Sequence, residues 1–294
     1  MKITQIKFEH LKKTLKKMGK VLVAFSGGVD SSFLLKVALD TLGSENVWAV
    51  TADSETYPEE ELKSASKLAK DLGLDGRYRI IRTIELKLKN FSKNPPDRCY
   101  YCKSELFSKL KKIAWKNKIP WVLDGSNYSD REDFRPGRKA LLKLGVRSPL
   151  LESRLTKEEI RALSKKLKLP TWNKPALACL SSRLPYGEKI TLKKLSRIEK
   201  AESYLKTLGF NQLRVRHHNG FARIELEPEE LKRLMNVHLW RIRKKIYAKL
   251  RDLGFTYVTL DLLGYRSGSM NEVLEKEIKK IGGKGKKSCL KDIL

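Results

Sequence analysis

The sequence predicts an α/β protein in which a parallel sheet is covered by helices on both faces and is followed by a smaller C-terminal α+β domain. Two observations carry this expectation. Through the first half, short and nearly unbroken apolar runs rich in β-branched residues alternate with helical periodicity, the signature of strands buried on both sides. Beyond a stretch with three prolines, the order of the elements changes.

The first strand is expected at Val21–Phe25 and the first helix after it at Ser31–Leu42. Strand Val47–Thr51, helix Glu59–Leu72, strand Tyr78–Ile84, helix Ser104–Lys116 and strand Trp121–Leu123 continue the alternation. After helix Lys157–Lys168 comes P-T-W-N-K-P-A-L-A-C-L-S-S-R-L-P-Y-G, where the prolines break the pattern and polar residues cluster. This reads as a linker and functional loop, giving expected boundaries of 1–170, 171–190 and 191–294. Helix Leu192–Leu208, strands Leu213–Val215 and Ala222–Leu226, a long helix within Pro228–Asp252 and strand Thr256–Leu260 suit a small α+β unit with an antiparallel pairing. The stretch Lys279–Lys287 reads as a mobile basic tail.

The formal charge of +29 implies phosphate-bearing partners such as nucleotides or RNA. Much of the lysine lies on amphipathic helices such as Leu11–Lys20 and Leu106–Lys118, where a solvated face explains it equally. No stretch approaches the ~18 uninterrupted apolar residues of a membrane span, and the N-terminus has no apolar core of a signal peptide. A cytoplasmic protein without membrane association, assembled as a homo-oligomer, is therefore expected. Four cysteines in such a compartment point to metal or reactive sulfur rather than a disulfide framework.

Directly after the first strand stands S-G-G-V-D-S-S, Ser26 to Ser32. Gly27 and Gly28 allow a tight turn and close approach to a ligand, while Ser31 and Ser32 sit where a helix N-terminus offers unpaired N–H groups. The stretch lacks both the G-x-x-x-x-G-K-[ST] and the G-x-G-x-x-G patterns, which excludes a Walker-type NTPase and a Rossmann oxidoreductase.

Three later stretches accompany it in order: D-G-S-N-Y-S-D at Asp124–Asp130 with R-P-G-R-K-A at Arg135–Ala140, K-P-A-L-A-C-L-S-S-R-L-P-Y-G at Lys174–Gly187, and D-L-L-G-Y-R-S-G-S-M-N-E at Asp261–Glu272. The heptad resembles the pyrophosphate loop of the PP-loop ATP pyrophosphatases (adenine nucleotide alpha hydrolase-like), and all four stretches together resemble the LarE family of ATP-dependent sulfur transferases. The resemblance implies a PP-loop domain, ATP with Mg2+ as cofactors, and a small-molecule nucleotide substrate. In this family a carboxylate of pyridinium-3,5-dicarboxylate mononucleotide is adenylated and then converted to a thiocarboxylate during nickel-pincer cofactor synthesis. It further implies pyrophosphate contacts from Ser26, Gly27, Gly28, Asp30, Ser31 and Ser32. Adenine is then expected at the strand end Thr51, Ala52 and Asp53, with Gly125 and Arg135 as further nucleotide contacts. Cys179 matches the sulfur-bearing cysteine, with Ser182 and Arg183 beside it.

Residue chemistry supports part of this independently. A positive charge at Arg183 favours a thiolate at Cys179, the state needed to attack an acyl adenylate or to bind metal. Asp30, Cys179 and Arg183 are the candidate catalytic residues. Arg214 and Arg216 share one face of a strand and are expected, with Ser182 and Arg183, to bind the substrate, clamping its phosphate; surface charge or an intrachain ion pair is the alternative. His217 and His218 face opposite ways and make a poor joint metal site.

C-Y-Y-C adds Cys99 and Cys102 to Cys179. A structural zinc site completed by Cys289, a redox disulfide, and an iron–sulfur cluster on Cys99, Cys102 and Cys179 all remain open. The cluster reading places the three cysteines in loops at one end of the sheet. It corresponds to a three-cysteine branch of the resembled family, in which a [4Fe-4S] centre carries sulfide from an external donor. The single-cysteine pattern implies instead a donor consumed in one turnover. A tRNA thiolation enzyme, with RNA as partner, and a nucleotide-binding regulator are the other functional readings.

Overall fold

The run V-L-V-A has no polar side chain, and in the computed structural model it is the central strand of a parallel sheet. The structure describes residues 2–74, 76–131, 136–175 and 178–274. Among them the first half contains α1 (Lys2–Met18), β1 (Val21–Ala24), α2 (Val29–Leu42), β2 (Val47–Asp53), α3 (Glu59–Asp71), β3 (Tyr78–Arg82), α4 (Lys89–Ser92), α5 (Arg98–Lys116), β4 (Trp121–Leu123), α6 (Gly137–Lys143), α7 (Pro149–Glu152) and α8 (Lys157–Lys166). The second half contains α9 (Leu192–Thr207), β5 (Leu213–His218), β6 (Phe221–Leu226), α10 (Pro228–Met235), α11 (Trp240–Asp252) and β7 (Tyr257–Leu260).

The chain separates into two units, Met1–Phe91 with Pro96–Leu177, and Ser92–Pro95 with Ala178–Leu294. In the first unit the strand order is β3-β2-β1-β4, all parallel. Side chains alternate across a strand, so one apolar run feeds two cores. Val21, Val23, Val47 and Ala49 pack with Leu15, Leu34, Ala65 and Ile160 on one face. Leu22, Val50 and Val122 pack with Phe107, Leu110 and Leu141 on the other. The expected parallel sheet with helices on both faces is the one observed.

Strand order also fixes where a ligand can enter. The chain runs from β1 outward to β3, then returns to place β4 on the opposite side of β1. The order therefore reverses between β1 and β4, and a crevice opens beyond the C-terminal ends of these strands. The loop after β1 is S-G-G-V-D-S-S, and the loop after β4 begins D-G-S.

In the second unit the sheet order is β5-β6-β7. The β5–β6 pair is antiparallel as expected, and β7 joins β6 in parallel after the crossover through α10 and α11. Leu213, Val215, Ala222, Ile224 and Leu226 face a core shared with α9, α10 and α11. By the same alternation Arg214, Arg216, Arg223 and Glu225 share the opposite face.

Four residues from before α5 belong to this unit. The Asn94 side-chain amide donates to the carbonyls of Leu184 (3.3 Å) and Pro185 (2.6 Å). In return the Asn94 and Ser92 carbonyls accept from the amides of Gly187 (2.9 Å) and Ile190 (2.8 Å).

Strands and helices mostly fall within about three residues of expectation, and two elements differ more. Helix α5 starts at Arg98 rather than Ser104, which places Cys99 and Cys102 in its first two turns instead of a loop. The helix expected within Pro228–Asp252 is broken at Asn236, whose side chain accepts the His238 amide at 2.9 Å and offers the backbone a turn in place of a further helical bond. No described helix is long and apolar enough to cross a membrane. Arg135, Cys289 and the stretch Lys279–Lys287 lie outside the described residues.

Candidate active site

Gly27 turns the chain out of β1 with φ of +64°, and a Cβ there would lie 2.8 Å from the Ala65 Cβ. Both the left-handed backbone and the closeness of α3 demand glycine. Each of the next carbonyls is tethered. The Tyr57 hydroxyl donates to the Ser26 carbonyl, Lys174 Nζ to that of Gly27 at 3.1 Å, and Ser31 Oγ to that of Gly28 at 3.3 Å. In a trans peptide the N–H points opposite to the C=O. The amides of Gly27, Gly28 and Val29 therefore turn away from these tethers, that of Gly28 toward Ser26 Oγ at 3.4 Å, and with the first turn of α2 they line a concavity of the kind that suits an anion. Its hydroxyls are ordered by the contacts of Ser31 Oγ with Ser26 Oγ (3.0 Å) and the Ser26 amide (3.2 Å). Ser32 is fully buried behind them.

Asp30 follows in the first turn of α2. Its Oδ2 accepts from Lys157 Nζ at 2.6 Å, while its buried Oδ1 has no hydrogen-bond partner. A second ion pair, Lys174 with Glu61 at 2.5 Å, braces the other side of the loop. Gly125, after β4, passes so close to α2 that a Cβ would lie 3.2 Å from the Ser31 nitrogen. Near the end of β2, the buried Thr51 donates its hydroxyl to the Phe25 carbonyl at 2.7 Å. Ala52 is half-buried and Asp53 exposed, with the Asp53 carbonyl accepting from the Thr83 amide at 2.9 Å. Ser26, Gly27, Gly28, Asp30, Ser31, Ser32 and Gly125 are thus gathered at the switch point.

In the second unit Cys179, half-buried, precedes a short 3-10 turn, Leu180–Arg183. Arg183 is almost wholly buried, 3% exposed, and its Nε and Nη2 grip the two oxygens of Glu202 at 2.9 Å each. Its Nη1 donates to the carbonyls of Ala178 (2.6 Å) and Cys179 (3.1 Å) and to Ser182 Oγ (3.1 Å). Burial works against the Arg183 charge, and the Glu202 carboxylate more than offsets it, holding the guanidinium above the ordinary arginine value. Arg216 donates to the Ser182 carbonyl at 3.0 Å, to Glu225 at 2.6 Å and to Ser269 at 3.1 Å. Arg214 lies in the same region, and burial together with the neighbouring Arg183 charge pushes it below the ordinary value despite Glu202. Cationic groups outnumber carboxylates here, which suits a phosphate ligand. Glu225 is itself committed to Arg216, Arg223 and Ser269, so it does not serve as an open metal ligand.

Cys99 and Cys102 are three positions apart on α5 and so share one side of the helix. Cys99 is exposed and Cys102 half-buried. The Cys102 thiol donates to the buried Glu85 carboxylate at 3.6 Å. The pair does stand at a helix start, but α4 and two prolines, not a strand, precede it. Among the described residues no group of three or more His, Cys, Asp or Glu side chains forms a ready metal site.

Sequence reasoning missed Tyr57, Glu61, Lys157 and Glu202 and gave Lys174 no role. Lys157 carried a readable signal. The sequence T-K-E-E opens α8 through a capping box between Thr156 and Glu159, and a lysine in a first helical turn opposes the local dipole unless an acid elsewhere claims it.

A family model described as NAD synthase matches residues 3–100. A protein from Synechocystis sp. described as uncharacterised is 44% identical over 92% of this chain and 98% of its own length. An uncharacterised protein from Methanocaldococcus jannaschii is 31% identical over 89% of this chain and 98% of its own. The pyridinium-3,5-bisthiocarboxylic acid mononucleotide synthase of Lactiplantibacillus plantarum is 44% identical over 89% of this chain and 92% of its own. A phosphate loop at the switch point, placed in a chain this similar from end to end, shows that the chain belongs to the LarE family, that of the pyridinium-3,5-bisthiocarboxylic acid mononucleotide synthases.

Proposed function

We propose that the chain uses ATP to adenylate a carboxylate of pyridinium-3,5-dicarboxylate mononucleotide and converts the activated group to a thiocarboxylate, a step in nickel-pincer nucleotide synthesis. The observation that carries this reading is the tethered phosphate loop in a chain 44% identical to a synthase of that class of product.

The amides and hydroxyls of Ser26–Ser32 hold the pyrophosphate portion of ATP, and the backbone at Thr51, Ala52 and Asp53 receives adenine. Gly125 keeps the approach open, and Arg135 is assigned to the nucleotide by the family resemblance. Asp30 fits a magnesium ligand, because its buried Oδ1 lacks any donor. The ion when bound offsets phosphate charge. The substrate carboxylate attacks the α-phosphorus and pyrophosphate leaves; a sulfur nucleophile then attacks the acyl adenylate and AMP leaves. Cys179 stands at the position of the family's sulfur-bearing cysteine, and Arg183 holds the backbone on both sides of it. Ser182, Arg214 and Arg216 bind the substrate.

We assign Cys99, Cys102 and Cys179 to a [4Fe-4S] cluster. The shared helix face of Cys99 and Cys102 suits a two-thiolate chelate, and the Glu85 contact fits thiols that lose their protons when a cation arrives. Such a cluster would supply a replaceable carrier for sulfide.

The test is anaerobic incubation of cluster-loaded protein with ATP, magnesium, sulfide and the dicarboxylate mononucleotide. AMP, pyrophosphate and a thiocarboxylate product are expected by mass spectrometry. Absence of all three with iron-replete protein refutes the proposal, and sulfur appearing in tRNA instead would replace it.

A further inference from the structure

Lys157 is the one residue of the loop's surroundings whose position is unfavourable for its own helix. It occupies the first position of α8, where the dipole disfavours a cation. The capping box of Thr156 and Glu159 satisfies that helix end without it, and the Lys157 amide is fixed by Ser129 Oγ at 3.1 Å. Its side chain instead reaches Asp30 Oδ2 at 2.6 Å, and the pair is only partly covered, 26% and 23% exposed. A lone ion pair that is three-quarters covered and still touches solvent adds little net stability, because desolvation offsets much of the attraction. A structural role therefore explains the placement poorly.

Asp30 also poses a problem that Lys157 solves. A carboxylate in the first turn of α2 competes with a phosphate for the same amides and the same dipole. The neighbouring Lys174 does not neutralise it, because Lys174 is held by Glu61 and the Gly27 carbonyl.

We propose that Lys157 is a phosphate-binding residue of this site. It neutralises Asp30 while the loop is empty, and it transfers its ammonium to the β- and γ-phosphates when ATP binds, leaving Asp30 free for the accompanying cation. The inference rests on the ATP reading above and deepens it.

Calorimetric titration of the full chain separates the two. The probes are magnesium ATP, magnesium-free inorganic pyrophosphate, and AMP, which lacks the phosphates in question. Lys157→Gln should weaken magnesium ATP and pyrophosphate at least tenfold and leave AMP within twofold, whereas Lys157→Arg should stay within threefold of wild type for all. Asp30→Asn should tighten magnesium-free pyrophosphate, because the lysine is released, and this gain should vanish in the Asp30→Asn, Lys157→Gln double variant. Equal pyrophosphate binding by wild type and Lys157→Gln overturns the inference, as does an equal loss for AMP, which would mark a general structural defect. Melting curves identify any misfolded variant, and the Asp30→Asn and Lys157→Arg arms then decide. Wild type that binds none of the three probes overturns the ATP reading itself, a distinct result.

Discussion

Replacing Arg183 by methionine tests the claim that the loop around Cys179 is held from beneath by a buried charge pair. Methionine approximates the volume but removes both 2.9 Å bonds to Glu202 and the three bonds to Ala178, Cys179 and Ser182. Glu202, buried at 7% exposure, keeps the Val215 amide at 2.9 Å and the Arg214 charge. Removing one partner of a buried pair costs about 3–5 kcal/mol, since the other charge stays behind. That is a large share of a typical total of about 5–15 kcal/mol. The melting temperature should therefore fall by ~5–10 °C.

The pH dependence has a definite sign. Burial alone would raise the Glu202 carboxyl, but Arg183 and, less strongly, Arg214 and the Val215 amide hold it below its ordinary value. In wild type this group thus adds stability above the unfolded carboxyl range and loses it as pH falls through the lower folded value. Without Arg183, burial dominates and the folded value rises, so the variant is penalised increasingly as pH climbs. Urea unfolding should show a wide gap to wild type at about pH 8 and a narrower one at about pH 5. A melting temperature within about 2 °C of wild type, or a gap that does not narrow with acid, would refute the reasoning.

Tyr57→Phe removes only the hydroxyl that tethers the Ser26 carbonyl. It should weaken magnesium ATP binding about three- to tenfold, the loss of ~1 kcal/mol of loop ordering, with the melting temperature nearly unchanged. Gly27→Ala forces a Cβ to 2.8 Å from that of Ala65 in a left-handed backbone, and should abolish calorimetric ATP binding while lowering stability by about 1–3 kcal/mol. Cys99→Ser and Cys102→Ser should each lower iron and acid-labile sulfide bound after anaerobic reconstitution; unchanged iron in both would remove these residues from the cluster.

The first sheet was legible because its strands are buried on both faces. V-L-V-A and W-V-L read as buried strands, the first central and the second at the sheet's edge, and Trp121–Leu123 was located to the residue. The start of α5 was not legible, because Asp97 makes no side-chain cap and C-Y-Y-C carries no apolar periodicity. The prolines at 95 and 96 were the available signal, since proline commonly precedes a helix start. The phosphate loop could be recognised from its own residues, but the side chains that grip it could not. Tyr57, Glu61, Lys157 and Lys174 come from separate elements, and only the fold brings them to one place. Arg183 shows the same limit. Its nearness to Cys179 is local in sequence, whereas the Glu202 that absorbs its charge is 19 positions away on α9.

The four bonds of Ser92 and Asn94 have a practical meaning for dissecting this protein. The polypeptide enters the second unit, leaves it to build α5 through α8, and enters again. A single cut near residue 178 therefore cannot yield a complete C-terminal half. Such a fragment lacks the amide that fills the Leu184 and Pro185 carbonyls and the acceptors for Gly187 and Ile190. Complementation by a short peptide spanning Ser92–Pro95 would restore what the cut removes.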